Sequence, residues 1–137
     1  ISKRAQSMPQ SPIRKLAKYA EAAHRNGIHI YSLNIGQPDI KTPDCAKESI
    51  ASFDRDILSY TPSQGILSLR AKMVGYYADY GIDISPDEII ITSGGSEAIM
   101  FAYMACLNPG DEIIVTDPSY ANYMAFAISC GAVVKSV

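Results

Sequence analysis

The run from Ile89 to Val137 constrains the fold more than any other part of the sequence. Ile89-Ile90-Ile91-Thr92 is a block of β-formers and reads as a buried strand. Ser93-Gly94-Gly95-Ser96 is a turn, and Glu97 to Leu107 is an apolar helix closed by Asn108-Pro109-Gly110. Glu112-Ile113-Ile114-Val115-Thr116 predicts a second strand. Asp117-Pro118-Ser119 turns the chain, and Tyr120 to Cys130 predicts another helix, with Tyr123 and Phe126 facing the core. Gly131 precedes a last strand, Ala132 to Val137. Strand, helix, strand, helix, strand in that order argues for an α/β fold with a parallel sheet and helices on its faces.

The first half is more irregular. Ser11-Pro12 has the form of a helix start, followed by Ile13, Leu16, Ala17, Ala20 and Ala23 at helical spacing, with Asn26-Gly27 as the stop. Ile28 to Ile35 alternates and predicts a short strand entering the loop Gly36-Gln37-Pro38-Asp39. Thr42-Pro43 opens a second helix with Ala46, Ile50 and Phe53 on one side. A third runs from about Ile66 to Tyr80, with Leu69, Met73, Tyr76, Tyr77 and Tyr80 near one stripe. Ser85-Pro86-Asp87-Glu88 has the S-x-x-E form of a capping box and predicts a single short turn.

Composition narrows the function classes. Hydrophobic residues make up 47% of the 137 positions and charged residues 19%, enough to build a core. The formal net charge is −2, so no basic excess exists to neutralise a nucleic-acid backbone or hold an anionic membrane. The longest apolar run, Ala98 to Leu107, is too short to span a bilayer. Cys45, Cys106 and Cys130 include no C-x-x-C pair and read as buried, reduced thiols of a cytoplasmic protein. His24 and His29 flank a predicted helix end without a third ligand nearby, which speaks against a metal site. The chain begins at Ile1 rather than Met, a hint of trimming.

Four places could carry chemistry. In Thr92-Ser93-Gly94-Gly95-Ser96-Glu97 a strand ends, two glycines follow and a helix opens. That arrangement offers backbone N–H groups and the positive end of a helix dipole to an anion, with the Ser96 hydroxyl as a further donor. A phosphate is the natural guest, and a tight turn without a ligand is the plain alternative. No lysine follows the glycines and G-x-G-x-x-G spacing is absent, so nucleotide motifs fit poorly. Gly36, before Gln37-Pro38, suggests a fixed extended loop or an ordinary connection. Tyr60, in a polar loop, could donate to a phosphate oxygen or pack on a helix. Tyr120 follows a strand end, where ligands bind in open α/β sheets, and could stack on a flat ring.

Together these segments resemble the class I/II aminotransferases, the fold-type-I enzymes that use pyridoxal phosphate. The resemblance rests on Ser11-Pro12-Ile13-Arg14 with Leu33-Asn34-Ile35-Gly36-Gln37-Pro38-Asp39 and on Tyr60-Thr61-Pro62 to Gly65 with Leu69-Arg70. It rests equally on Ile91 to Ala98, and on Asn108-Pro109-Gly110-Asp111-Glu112 to Tyr120, all in the family's order. It implies that residues 1–35 are an N-terminal arm and small-domain segment, and that 36–137 begin the three-layer αβα large domain that binds pyridoxal phosphate. By the same resemblance Gly95, Ser96 and Glu97 would hold the cofactor phosphate, mainly through backbone N–H groups. Tyr120 would stack on the pyridine ring. Tyr60 would reach the phosphate of the neighbouring subunit in a homodimer, and Gly36 would meet the substrate carboxylate.

The family's catalytic lysine, its pyridine-nitrogen aspartate and its carboxylate-binding arginine lie beyond the equivalent of Val137. The resemblance therefore implies the N-terminal portion of an aminotransferase, with no catalytic residue of its own and inert alone. In the family's sheet, later strands separate the equivalent of Ile89–Thr92 from the next two strands. That strand is expected to lack a lateral partner within residues 1–137. The expected activity of the whole protein is transfer of an amino group from an amino acid to a 2-oxo acid, in amino-acid biosynthesis. The alternatives are a carbon–sulfur lyase or an aminocyclopropane carboxylate synthase-like enzyme on the same scaffold, and the effector domain of an aminotransferase-like transcription regulator. A bare phosphate-binding α/β module is a further one.

Overall fold

A computed structural model describes residues 1–8, 11 and 14–137. The chain divides into two compact units: one contains residues 1–36 and 93–137, the other residues 37–92.

The first unit carries the sheet. Strand β1 (Glu112–Val115) pairs in parallel with β2 (Val133–Ser136), with Glu112 opposite Val133 and Val115 opposite Ser136. Helix α6 (Asn122–Cys130) forms the crossover between the strands; α1 (Lys3–Ser7), α2 (Ala17–Arg25), α3 (Asp44–Ala51), α4 (Leu67–Ala78) and α5 (Gly95–Cys106) come before it among the described residues. A parallel pair requires such a crossover, and a helix of this length supplies it. The small core lies where α6 meets the two strands: Val115 and Ala132 are buried and Ala127 is wholly so. Alanine at that point lets the helix approach the strands closely. Helix α5 packs against α6, and α1 lies on the end of α6, where Arg4 Nη1 donates to the Ser129 carbonyl over 2.8 Å. A cation there complements the negative end of the α6 dipole. Lys135 pairs with Glu112 across the strands at 3.0 Å, but both side chains are more than half exposed, so the pair stabilises little.

The expected start at Ser11-Pro12 falls partly outside the described residues, since Pro12 and Ile13 are not among them. Arg14 and Lys15 N–H groups donate to the Ser11 carbonyl, so a turn leads into α2. The expected stop holds: Gly27 N–H donates to His24 and Ile28 N–H to Ala23, the paired back-bonds that close a helix on glycine. Ile28–Ile35, expected as a strand, joins no ladder among the described residues. The segment is irregular and bends at Asn34 and Ile35. Nothing in the sequence pattern had marked the short α1, which Ser2 caps through its hydroxyl to the Ala5 N–H.

The second unit contains α3, α4 and a 3-10 turn at Pro86–Glu88. That turn is the expected capping box: Ser85 N–H and Oγ both donate to the Glu88 carboxylate, at 2.8 and 2.9 Å. These two bonds hold the Glu88 carboxyl below its ordinary value. Ile89–Thr92 follows in extended form, yet it belongs to no strand pair among the described residues. The β-propensity is therefore expressed without a ladder among the described residues.

The inner face of α4 differs from the expected stripe. Arg70 is buried, and Met73, Val74 and Tyr77 are half-buried at the matching helical spacing. Leu69, Tyr76 and Tyr80 are exposed. A charged residue holds the innermost position because two backbone carbonyls need a donor there. The cysteines also depart from expectation: Cys45 and Cys106 are exposed and only Cys130 is half-buried. The parallel β1–β2 pair with α6 packed on it nevertheless gives the α/β architecture anticipated from the strand–helix rhythm.

Candidate functional site

The Ser93–Ser96 turn leads directly into α5, with Gly94 as N-cap and Gly95, Ser96 and Glu97 as the first helical turn. Gly94 adopts φ 143° and ψ 174°, a conformation that side chains rarely tolerate, so glycine is required there. A Cβ built on Gly94 or Gly95 would meet nothing within 4 Å, and Ser93 through Ser96 are all exposed. The turn therefore opens into unfilled space.

The first N–H groups of any α-helix lack an acceptor one turn back, and α5 has no side-chain cap to supply one. Glu97 turns its carboxylate toward the preceding residues and accepts the Ser93 N–H at 2.6 Å. That contact closes the turn and places negative charge at the positive end of the dipole, where it is favoured. It also means that Glu97 could serve an anion only through its N–H. The donors available to an anionic guest are the N–H groups of Gly95, Ser96 and Glu97 and the Ser96 hydroxyl. This set fits a phosphate: open space, an accessible backbone and a helix dipole of twelve residues aimed at the turn.

Tyr120 belongs to the same unit. It lies beyond the carboxyl end of β1, after Asp117-Pro118-Ser119. Its ring stands edge to face with Tyr123 at a centroid distance of 5.4 Å, and its hydroxyl accepts from Asn122 Nδ2 at 2.7 Å. The side chain is 46% exposed, so the ring is held yet accessible. A nearby cleft of about 320 Å³ lies between α5 and β1, lined by Ile99, Tyr103, Ile114, Thr116 and Tyr123 among others. Burial, then the neighbouring Tyr123 and Cys130, push the Tyr103 phenol up. Gly36 is exposed, with nothing within 4 Å of a built Cβ.

Tyr60 belongs to the other unit and is fully exposed. The loop that carries it is more ordered than the side chain. Gly65 N–H donates to the Pro62 carbonyl at 2.8 Å, and the Ile91 N–H donates to the Gln64 carbonyl at 2.9 Å. Gly65 has φ 97°, and a Cβ built on it would sit 2.5 Å from Ile91 Cγ1. The buried Arg70 completes the loop: Nε donates to the Gly65 carbonyl at 3.3 Å, and Nη1 donates to the Pro86 carbonyl at 2.5 Å and faces Asp87 Oδ1 at 3.4 Å. In the sequence, Arg70 stands only as the end of the Tyr60-to-Arg70 motif, with no role of its own. The signal was there, since it shares helical spacing with Met73, Val74 and Tyr77 and so takes an inward position in an amphipathic helix.

Comparison with known proteins supplies the family. The family model for "Aminotransferase class I and II" matches residues 28–137. An aspartate aminotransferase of Thermotoga maritima is 35% identical over 141 residues, covering 100% of this chain and 37% of that protein. A probable N-acetyl-LL-diaminopimelate aminotransferase of Bacillus subtilis is 38% identical, covering 96% of this chain and 33% of its own length. The crystal structure of the Thermotoga maritima aspartate aminotransferase superposes with a TM-score of 0.89 at 33% identity, over 100% of this chain and 37% of that one. An alanine aminotransferase from Pyrococcus furiosus gives 0.87 at 33% identity, over 99% and 36%. The chain thus spans little more than a third of the length of the relatives it matches. With the family model covering most of the sequence and the relatives matching it nearly end to end, the chain belongs to the aminotransferases of class I and II.

Proposed function

We propose that the full-length protein is a pyridoxal-phosphate-dependent aminotransferase that moves an amino group from an amino acid to a 2-oxo acid, working as a homodimer in the cytoplasm and in amino-acid biosynthesis. The observation that carries this reading is the exposed Ser93–Ser96 turn at the N-terminus of α5, in the same unit as Tyr120 beyond the end of β1. Aspartate, alanine and N-acetyl-diaminopimelate aminotransferases among the relatives support the reaction class.

Within this reading the N–H groups of Gly95, Ser96 and Glu97 bind the cofactor phosphate, with the Ser96 hydroxyl as a further donor. Such charge-assisted bonds are short and about twice as strong as neutral ones. Tyr120 presents its ring to the cofactor ring and keeps water from that face. Tyr60 donates its hydroxyl to the phosphate bound in the neighbouring subunit, and the Gly36 N–H orients the substrate carboxylate. When bound, pyridoxal phosphate supplies an aldehyde and an electron-withdrawing ring that stabilises negative charge at the substrate Cα. These groups bind and orient. Residues 1–35 are read as the arm and small-domain segment, and 36–137 as the first part of the cofactor-binding domain.

The test is amino transfer by the full-length protein. Incubation with pyridoxal phosphate, an amino acid and 2-oxoglutarate is expected to yield glutamate and a new 2-oxo acid. Absence of any absorbance change with pyridoxal phosphate would overturn the cofactor. Release of ammonia without need for a second oxo acid would replace transfer by lyase chemistry on the same scaffold.

A further inference from the structure

The Tyr60 side chain makes no hydrogen bond, ion pair or ring contact among the described residues, and it is fully exposed. Nothing attached to the phenol itself fixes its direction. The nearest ordered backbone is the one that follows: Pro62 restricts Thr61, and the Pro62–Gly65 turn begins two residues after Tyr60.

That turn has three anchors. Its own bond from Gly65 N–H to the Pro62 carbonyl closes it. The Ile91 N–H holds the Gln64 carbonyl, and Ile91 packs so closely on Gly65 that no side chain fits there. Arg70 holds the Gly65 carbonyl through Nε, while Nη1 of the same guanidinium reaches the Pro86 carbonyl and Asp87. The guanidinium thus ties the loop to the 3-10 turn that precedes Ile89–Thr92. Arg70 is 6% exposed, and its planar fork of donors serves carbonyls on two segments at once.

We propose that Arg70 is a positioning residue: it fixes the Pro62–Gly65 turn, and through that turn the direction in which Tyr60 offers its hydroxyl to the cofactor phosphate. This rests on the reading of Tyr60 as a phosphate donor given above. Arg70 itself touches neither cofactor nor substrate. Its effect on cofactor binding passes through Tyr60 and is specific to the phosphate.

The experiment is a double-mutant cycle in the full-length protein with Tyr60→Phe, Arg70→Lys and the double variant. Dissociation constants are read by absorbance titration with pyridoxal phosphate and with pyridoxal, which has the same ring and lacks the phosphate. Tyr60→Phe is expected to weaken pyridoxal phosphate by about 10- to 100-fold, the effect of one hydrogen bond to a charged group, and to leave pyridoxal unchanged. Arg70→Lys is expected to show the same selectivity. The double variant is expected to bind no more weakly than the weaker single one. If the two losses multiply, or if Arg70→Lys weakens pyridoxal as much as pyridoxal phosphate, the positioning role is overturned while the reading of Tyr60 stands. If Tyr60→Phe changes nothing, the reading of Tyr60 fails and this inference fails with it. Loss of the native circular-dichroism spectrum in Arg70→Lys would make Arg70 a folding residue and would also overturn the proposal.

Discussion

Two turns built on glycine serve opposite ends in this chain. At Gly94 and Gly95 the space above the backbone is open: a Cβ would meet nothing within 4 Å. At Gly65 the same space is filled, with Ile91 Cγ1 2.5 Å from where a Cβ would stand. The first glycines keep the backbone accessible, and the second lets a neighbouring segment pack against it. A glycine at a turn therefore signals either a ligand's approach or the chain's own, and only its surroundings tell which. The contrast extends to what holds each turn. The Ser93–Ser96 turn is closed by Glu97, an acceptor from its own helix, so its donors still face outward. The Pro62–Gly65 turn is held from outside, by Ile91 and by a buried guanidinium.

Substitutions at the two turns should separate accordingly. Gly65→Ala is the largest expected effect. It adds strain at φ 97° to overlap with Ile91, and should lower stability by about 3–5 kcal/mol, read from the denaturant midpoint. A loss under about 1 kcal/mol would show that the contact relaxes readily, and the contrast between the turns would fail. Gly94→Ala comes next. It meets no atom but must hold φ 143°, so a loss of about 1–3 kcal/mol is expected, together with weaker binding of pyridoxal phosphate. Gly95→Ala sharpens the comparison most. Its backbone is already helical and its surroundings are open, so alanine should leave stability unchanged or raise it by about 0.5–1 kcal/mol. The same methyl group crowds the proposed phosphate, so affinity for pyridoxal phosphate should fall. Stability and affinity moving together at Gly95 would count against an open turn kept for a ligand.

The smallest effect concerns the 3-10 turn whose Pro86 carbonyl receives Arg70. The Ser85 bonds lower the Glu88 pKa in the folded state, so they stabilise above the ordinary carboxylate range. That contribution fades as pH falls through the lowered folded value. Glu88→Gln should therefore lower stability slightly at neutral pH, change little below the lowered folded value, and so flatten the acid side of the stability profile. An unaltered acid limb in thermal melts would show that the box contributes nothing there.

The features legible in the sequence are those fixed by local chemistry. Asn26-Gly27 closes α2, Ser85 and Glu88 form their box, and the glycines after Thr92 open α5. The β1–α6–β2 crossover follows from alternating propensity and turn residues, with end points shifted by a residue or two. Features set by distant partners were not legible. Ile89–Thr92 has the composition of a strand, but a strand requires a neighbour, and composition does not supply one. Of the apolar and aromatic stripe Leu69, Met73, Tyr76, Tyr77 and Tyr80, only Met73 and Tyr77 turn inward, and the carbonyls of Gly65 and Pro86 select Arg70 for the innermost position. The candidate site divides the same way. The phosphate turn is a backbone motif and can be read from spacing. The role of Arg70 in the loop that carries Tyr60 emerges only once the chain has folded.

The central claim is that the backbone of the Ser93–Glu97 turn binds the phosphate of the cofactor. The most direct measurement is the ratio of dissociation constants for pyridoxal and pyridoxal phosphate, in the full-length protein and in its Gly95→Ala variant. A preference for pyridoxal phosphate of at least about 100-fold is expected, cut by roughly tenfold or more in the variant, with pyridoxal affinity unchanged. Equal affinity for the two compounds, or a preference that Gly95→Ala leaves intact, would contradict it.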